Sequence, residues 1–407
     1  MYSHKYTIRF LFLLVIFIFF SCASPPVPKT EKTETGGADV LFTETNPITE
    51  ENPEENTVTI VAAGDNLYHD VMIREGEKGK YEAFYSQIEA LVEPADIAFI
   101  NQETLLAGKE FGFSGYPKFN TPQEVGRALA AAGFNTVNQA TNHIMDKGEE
   151  AVFATLDFWD TIPRVKVLGV HRNEAERDRA VLIKKNNITI GFLAYTYGTN
   201  NIPAPADKPY LVSLMDTETM AREIDALRPL CDVLVVSMHW GEEYQSDCSE
   251  KQEALAGLLA EHRVDLVLGH HPHVIQPVEY IRRPDGRFML CFYSLGNLIS
   301  AQTESSTLLG ALAYVKIKKT PSHNGNEADS FIFVDAGAIP LVIHYEKNFT
   351  NFMVYPLYNY TEELMDKHLK NQNKKELTLD YLTGLAAKIL GNKEILANPF
   401  DTPACPP

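Results

Sequence analysis

The sequence predicts an α/β layered sandwich with a second, more antiparallel sheet and a helical C-terminal extension. From Thr57 onward, short apolar runs alternate with amphipathic stretches in a βαβα rhythm. Those runs are nearly continuous in apolar residues, which suits strands inside a layered core. Between Pro277 and about Tyr355, strand-like runs follow one another without clear helices between them.

The elements follow in order. "TVTIVAAGD" (57–65) reads as a strand and turn, "AFYSQIEALVE" (83–93) as a helix and "DIAFINQE" (96–103) as a strand. "PQEVGRALAAAG" (122–133) opens with Pro122 and closes at Gly133, favourable residues at a helix start and end. "FNTVNQATNH" (134–143) is the next strand and "GEEAVFATLDFWD" (148–160) the next helix. Strands "VKVLGV" (165–170) and "ITIGFLAYTYG" (188–198) precede a helix around 216–229 and the strand "DVLVVSMHWG" (232–241). The helix "EKQEALAGLLAEH" (250–262) leads to the strand "VDLVLGHHPH" (264–273). The more antiparallel part holds "FMLCFYSLGN" (288–297), "LLGALAYVKIKK" (308–319), "FIFVDAGAIPLVIHY" (331–345) and "FMVYPLY" (352–358). From about Thr361 the tail reads as two polar helices and a Pro-rich terminus. No internal repeat of 20–50 residues is present.

The N-terminus reads as a targeting segment. Lys5 and Arg9 precede an apolar run from Phe10 to Phe20, too short to span a bilayer and suited to a signal-peptide core. The run ends in "FFSCAS", where a small residue before Cys22 resembles a bacterial lipoprotein cleavage site with Cys22 lipidated. Residues 1–22 are thus expected to be a signal peptide and the mature chain a membrane-anchored extracytoplasmic lipoprotein. The alternative is a secreted protein with Cys22 incidental. Residues 23–56, rich in Pro, Thr and Glu, lack the apolar content to order themselves and read as a tether.

A net charge of −18, from 36 Lys+Arg against 54 Asp+Glu, excludes nucleic acid as the main partner. A bound metal can still supply local positive charge for a small anionic substrate. Cys231, Cys248, Cys291 and Cys405 show no zinc-ribbon spacing, allow three complete pairings, and suggest no thiol chemistry.

Polar residues gather just after the strands. Gly64-Asp65, with His69 and Asp70 beyond, follows the first; Asn101 and Glu103 follow the second; Asn142, His143 and Asp146 the third. His239 ends another, and His270, His271 and His273 the next. In an open α/β sheet, the carboxyl ends of the strands form the ligand-binding edge. Asp65, Glu103, Asn142, His239, His271 and His273 supply six oxygen and nitrogen donors, suited to one or two divalent transition metals (Mn, Zn or Fe). Two metals about 3.5–4 Å apart can activate hydroxide and stabilise both oxygens of an in-line displacement. Each residue also has a plain structural reading. Asp65 could cap a turn, Glu103 could be solvated, Asn142-His143-Asp146 could form a turn network, and His239 could be a core histidine. His-Pro-His resists such a reading, because Pro272 stiffens the spacing of both imidazoles.

The ordered series "GDNLYHD", "NQET", "NQATNHIMDKG", "HWGEEY", "GHHPHVIQ" and "YSLGN", between Thr57 and Leu298, resembles CapA-type proteins associated with poly-γ-glutamate capsule synthesis. CapA-type domains belong to the calcineurin-like metallophosphatase superfamily. The resemblance implies a metallophosphatase-like domain over 57–300, remaining strands of the same fold over 301–360, and a helical extension over 361–407. It implies that Asp65 is a metal carboxylate, Glu103 the bridging carboxylate and Asn142 a second-metal ligand, with His239, His271 and His273 completing the shells. His143 takes the place of the catalytic imidazole, and Asp146 could orient it. Ser294 and Asn297 are placed near the site, and His270 in an outer role.

Two departures stand out. The superfamily has Asp-x-His in its first motif, whereas His69 lies four residues after Asp65; either it rejoins the site by another loop path or one metal lacks that ligand. Glu also replaces Asp at position 103, which alters its reach. The implied function is an extracytoplasmic protein of poly-γ-glutamate capsule synthesis or anchoring with a metal-dependent, phosphoesterase-like site. The alternative is a non-catalytic metal- or polymer-binding component of capsule assembly or export; hydrolysis of a γ-glutamyl peptide bond is a third reading. Expected partners are the membrane through the lipid anchor, an anionic polymer or phosphoester substrate, and capsule-synthesis membrane proteins.

Overall fold

The computed structural model describes residues 56–79, 81–320, 330–371, 377–392 and 395–400, all within a unit that begins at Glu51. Cys22, Cys405 and the expected signal peptide lie outside these residues, as does the expected tether up to residue 55. The described chain opens with β1 (Thr57–Asn66), α1 (Asp70–Gly76), α2 (Glu89–Val92), β2 (Ile97–Gln102) and α3 (Gln123–Ala131). β3 (Thr136–Asn138), α4 (Glu149–Asp160), β4 (Lys166–Leu168) and α5 (Glu174–Arg177) follow. Then come β5 (Val181–Lys185), β6 (Ile188–Thr196), α6 (Thr217–Leu227), β7 (Val233–His239), α7 (Glu250–Glu261) and β8 (Leu266–His270). The rest is β9 (Val278–Arg282), β10 (Phe288–Phe292), β11 (Asn297–Ile299), β12 (Leu309–Thr320), β13 (Ser330–Glu346), β14 (Thr350–Pro356), α8 (Glu362–Lys367) and α9 (Leu379–Leu390).

Two mixed sheets form. One runs β14-β13-β12-β1-β2-β3-β4, with β11 pairing β1; the other runs β5-β6-β7-β8-β10-β9. The first is parallel from β1 to β4 and antiparallel from β1 through β12 to β14. In the second, β6, β7, β8 and β10 are parallel, with antiparallel β5 and β9 at the edges. The strands after Pro277, expected to form a more antiparallel sheet of their own, are instead shared: β10, parallel to β8, and antiparallel β9 complete the second sheet, and β12–β14 extend the first.

Side-chain alternation explains the continuous apolar runs. In β7, Val233 and Val235 join a core that also holds Ile60, Phe99 and Leu268, whereas Leu234, Val236 and Met238 pack with Ile224 of α6 and Leu259 of α7. Each central strand thus buries both faces, one against the other sheet and one against helices. The helices start at satisfied caps: Asp216 accepts from the Thr219 amide, and Ser249 forms a reciprocal box with Gln252.

Three expected elements are shorter than their sequence pattern. Residues 83–93 split into a 3-10 turn at Glu82–Tyr85 and the single turn of α2, because Ser86 Oγ donates to the Ala83 carbonyl while Tyr85 reaches across to Asn66. β3 stops at Asn138, whose side chain accepts from the Ala140 amide and donates to its carbonyl. β8 stops at His270 because His271 and His273 take φ of +97° and +59°. The tail forms the two expected helices, but α9 is amphipathic rather than polar and buries Leu382, Ala386 and Leu390.

Gly64 shows how tightly the first strand end is held. A Cβ there would meet the Gly296 carbonyl oxygen at 1.9 Å, and that oxygen accepts from the Asp65 amide at 2.8 Å. Gly64→Ala is expected to lower stability by about 3 kcal/mol, since backbone on both sides must shift. Thermal unfolding checks this; an unchanged midpoint would mean that the approach of β1 to Gly296 relaxes freely.

Candidate metal centre

The polar strand ends meet at one edge. Register places Asp65 of β1 beside Asn101 of β2, Asn101 beside Asn138 of β3, and His239 of β7 beside His270 of β8. Two groups of potential ligand atoms result. Asp65, Glu103 and His273 form one, and Glu103, His239 and His271 the other, each with atoms within 4.8 Å of one another and all residues buried. Glu103 belongs to both.

Each member is aimed by its backbone and neighbours. Asp65 Oδ1 accepts from the Asn101 amide at 2.8 Å, and the His271 backbone N–H reaches both Asp65 oxygens at 3.2–3.3 Å. His273 Nδ1 donates to Asp65 Oδ2 at 3.0 Å and lies 3.1 Å from Asn297 Oδ1. Both His271 and His273 take positive φ, a conformation that costs non-glycine residues about 1–3 kcal/mol each; the His273 imidazole meets Asp65, and the His271 ring packs against His239 and Tyr197. His239 Nδ1 lies 3.3 Å from the Asn101 amide nitrogen, and its Nε2 lies 2.9 Å from Asn142 Oδ1 and 3.9 Å from Glu103 Oε1.

Glu103 is the exception to this saturation. Both its carboxylate oxygens are buried without a hydrogen-bond partner, and Oε1 stands 3.8 Å from His273 Nε2 and 3.9 Å from His239 Nε2. Burial pushes its pKa well above the ordinary carboxylate range; the His273 charge opposes this, and Asp65 adds to it. Burial also holds His271 down at about 3 and His239 well below the usual imidazole range. Burial would lower His273 as well, but Glu103 and Asp65 outweigh it and raise its pKa to about 9. An orphaned carboxylate beside the neutral imidazoles of His239 and His271 fits a divalent cation bound by oxygen and nitrogen donors.

The remaining predicted residues occupy distinct places. His143 Nδ1 donates to Asp146 Oδ2 at 2.7 Å, and the same oxygen accepts from the Phe119 amide at 2.7 Å. Phe119 meets the His143 ring edge-on at 4.6 Å and His69 at 5.6 Å. His69 belongs to neither ligand group, and its Nδ1 accepts from the Ala301 amide at 3.3 Å. His270 stacks on Phe99 with both ring nitrogens unpartnered, its Nδ1 4.0 Å from Asp65. Asn297 donates to the His273 carbonyl, and Ser294 is spent on the Val274 carbonyl and the Gly296 amide, shaping the loop rather than lining the centre.

Two residues gain roles that the sequence did not assign. Asn101 joins Asp65 to His239 through one amide nitrogen. Tyr197, just after β6, lies 4.6 Å from the His271 ring and is stacked on His239 at 6.4 Å. The position of Asn101 after an apolar run was a visible signal; nothing local marks Tyr197.

The family model for the bacterial capsule synthesis protein PGA_cap matches residues 59–302, more than half of the chain, and includes every residue of this centre. The chain belongs to the PGA_cap family. It is 29% identical over 201 residues to the PGA biosynthesis protein CapA of Bacillus subtilis, covering 49% of this chain and 51% of that protein. It is 28% identical over 201 residues to the capsule biosynthesis protein CapA of Bacillus anthracis, covering 48% and 47%. This PGA_cap member thus spans about half the length of the curated relatives it matches. Similar solved structures include the NAD nucleotidase NadN of Haemophilus influenzae, with TM-score 0.42, 11% identity, and 82% and 67% coverage of the two chains. The 5'-nucleotidase precursor of Thermus thermophilus gives TM-score 0.39, 14% identity, and 82% and 59% coverage.

Proposed function

We propose that this PGA_cap protein is an extracytoplasmic component of poly-γ-glutamate capsule synthesis or anchoring whose buried centre is a metal-dependent hydrolase site of the phosphoesterase type. The observation that carries the hydrolase reading is Glu103, a carboxylate with both oxygens buried and unpartnered, shared by two ligand groups. Asp65, Glu103 and His273 would hold one divalent metal, and Glu103, His239 and His271 a second, with Asn142 beside His239. When bound, the metals supply Lewis-acid polarisation of a phosphoryl oxygen and lower the pKa of water.

The protein's own part is proton handling and alignment. The His143 Nδ1–H is fixed on Asp146, which leaves Nε2 as the nitrogen able to exchange a proton with a leaving-group oxygen. Phe119 holds that ring by edge contact and ties Asp146 through its amide. The charged start, the apolar run to Phe20 and Cys22 support the lipoprotein reading, with membrane proteins of capsule synthesis as partners.

Metal analysis of the purified chain, combined with a screen of phosphomonoesters and phosphodiesters, tests the proposal. One or two transition-metal ions per chain are expected, with turnover removed by chelation and restored by metal. A chain that takes up no transition metal above background sinks the hydrolase reading. A metal-loaded chain inert toward every ester leaves the non-catalytic assembly role.

A further inference from the structure

We infer that a cavity beside the metal centre is a second binding subsite, which takes an uncharged, hydroxyl-bearing ring, such as a sugar, joined to the phosphoryl group held at the centre. The inference rests on the hydrolase reading above. Tyr197 is the wall between the two places. One side of its ring meets His271 and His239, and it also lines a cavity of about 510 Å³ with Met215, Trp240, Glu242, Glu250 and Lys251. The residue is 42% exposed, so a ligand can reach it.

The lining selects the chemistry. Tyr197 and Met215 offer apolar surface over buried Trp240, and such faces take the C–H face of a ring. The polar groups deeper in the cavity are already used: Trp240 Nε1 donates to the Tyr293 carbonyl, and Gln252 is spent on Ser249 and Gln276. What remains for a ligand is the exposed rim of Glu242, Glu250 and Lys251. Two carboxylates against one ammonium repel a polyanion, and the ammonium disfavours a cation; hydroxyl groups satisfy both kinds of partner.

The centre points the same way. Among the described residues, none of Asp65, Glu103 and Asp146 has a Lys or Arg within ion-pairing distance, and their ionic partners are histidines alone. Burial raises the pKa values of Tyr197 and Tyr244, and exposed Glu243 adds to both. A γ-glutamyl chain laid along the cavity rim would meet Glu242 and Glu250 against Lys251. A single phosphoryl group at the metals with a neutral ring beyond Tyr197 meets none of that repulsion. The substrate is thereby a sugar phosphoester rather than the polyglutamate backbone.

Titration of the metal-loaded full-length chain in detergent, followed by tryptophan emission, tests this. The chain has two tryptophans; Trp240 lines the cavity, and Trp159 is buried on α4 against Gln139. Glucose 6-phosphate is expected to shift the emission and to bind more tightly than inorganic phosphate. Glu242→Ala should weaken the sugar phosphate about tenfold, the loss of a hydrogen bond to a charged group, without the same loss for inorganic phosphate. Tyr197→Ala should weaken it likewise and Tyr197→Phe should restore it. A γ-glutamyl oligomer that binds more tightly than glucose 6-phosphate overturns the inference, as does equal sugar-phosphate affinity in Glu242→Ala. If inorganic phosphate fails to bind but methyl glucoside binds in a Glu242-dependent way, the hydrolase reading falls and the subsite stands. Phosphate binding with no sugar preference gives the reverse.

Discussion

Replacing Glu103 with Met is expected to abolish stoichiometric metal binding and, at the same time, to stabilise the metal-free protein. Methionine keeps the unbranched shape and removes the carboxylate, so packing changes little. The metal loses the one residue common to both ligand groups, so affinity should fall by more than about a hundredfold, beyond the 10–100-fold typical of outer-shell changes. The metal-free chain, in contrast, is relieved of a buried carboxyl group whose two oxygens have no hydrogen-bond partner. That relief is worth roughly 1–3 kcal/mol, visible as a raised unfolding midpoint in chelator. A lowered midpoint in chelator would mean that the carboxylate is held by the fold itself and is not waiting for a cation.

The same centre sets a pH dependence with a definite sign. His273 is raised from 6.5 to about 9 by Glu103 and Asp65 against the opposing pull of burial, so the folded metal-free chain holds a proton there that the unfolded chain releases above pH 6.5. Its contribution is fully present below 6.5 and is lost as pH rises toward 9. Glu103, also raised, acts in the same direction. The lowered imidazoles His239, His270 and His271 are neutral in both states above 6.5 and contribute no slope there. Metal-free stability should therefore fall between pH 6.5 and 9, while the stabilisation conferred by metal grows, because ligands must be deprotonated to bind.

The sequence was most legible where polar residues interrupt buried strands. Asp65, Glu103, His239, His271 and His273 each follow an apolar run, and the parallel register brings those run ends to one edge. Their convergence thus follows from the βαβα rhythm. What stayed hidden was non-local or conformational. No spacing rule reveals that His271 and His273 take positive φ, or that one amide nitrogen of Asn101 bridges two ligands. The helix expected over 83–93 failed because Tyr85 is pulled to Asn66 and Tyr68, partners remote in sequence. The division of these strands between two sheets was equally invisible, since nothing in the apolar runs of β10 and β12 says that one will lie parallel to β8 and the other antiparallel to β1.

Changing His143 to Ala should leave metal content unchanged and lower turnover of the best ester by about 10²–10⁴-fold, the usual contribution of a positioned acid–base group. The separation is possible because His143 belongs to neither ligand group, although it approaches Asn142 through Asn200. Asp146→Asn probes the same device from behind. The amide keeps an oxygen able to accept from Phe119, so the loop should survive, but it loses the negative charge that favours a protonated imidazole in the transition state. A drop of roughly tenfold to a hundredfold is expected, smaller than for His143→Ala, because alignment persists while charge is lost. Esters with good leaving groups should be least affected by both changes, since they need no proton. If poor and good leaving groups lose rate equally, His143 acts by holding Phe119 and the loop rather than by proton transfer. If His143→Ala keeps full turnover with metal bound, the proton comes from water, and the dyad is a packing element of the third strand end.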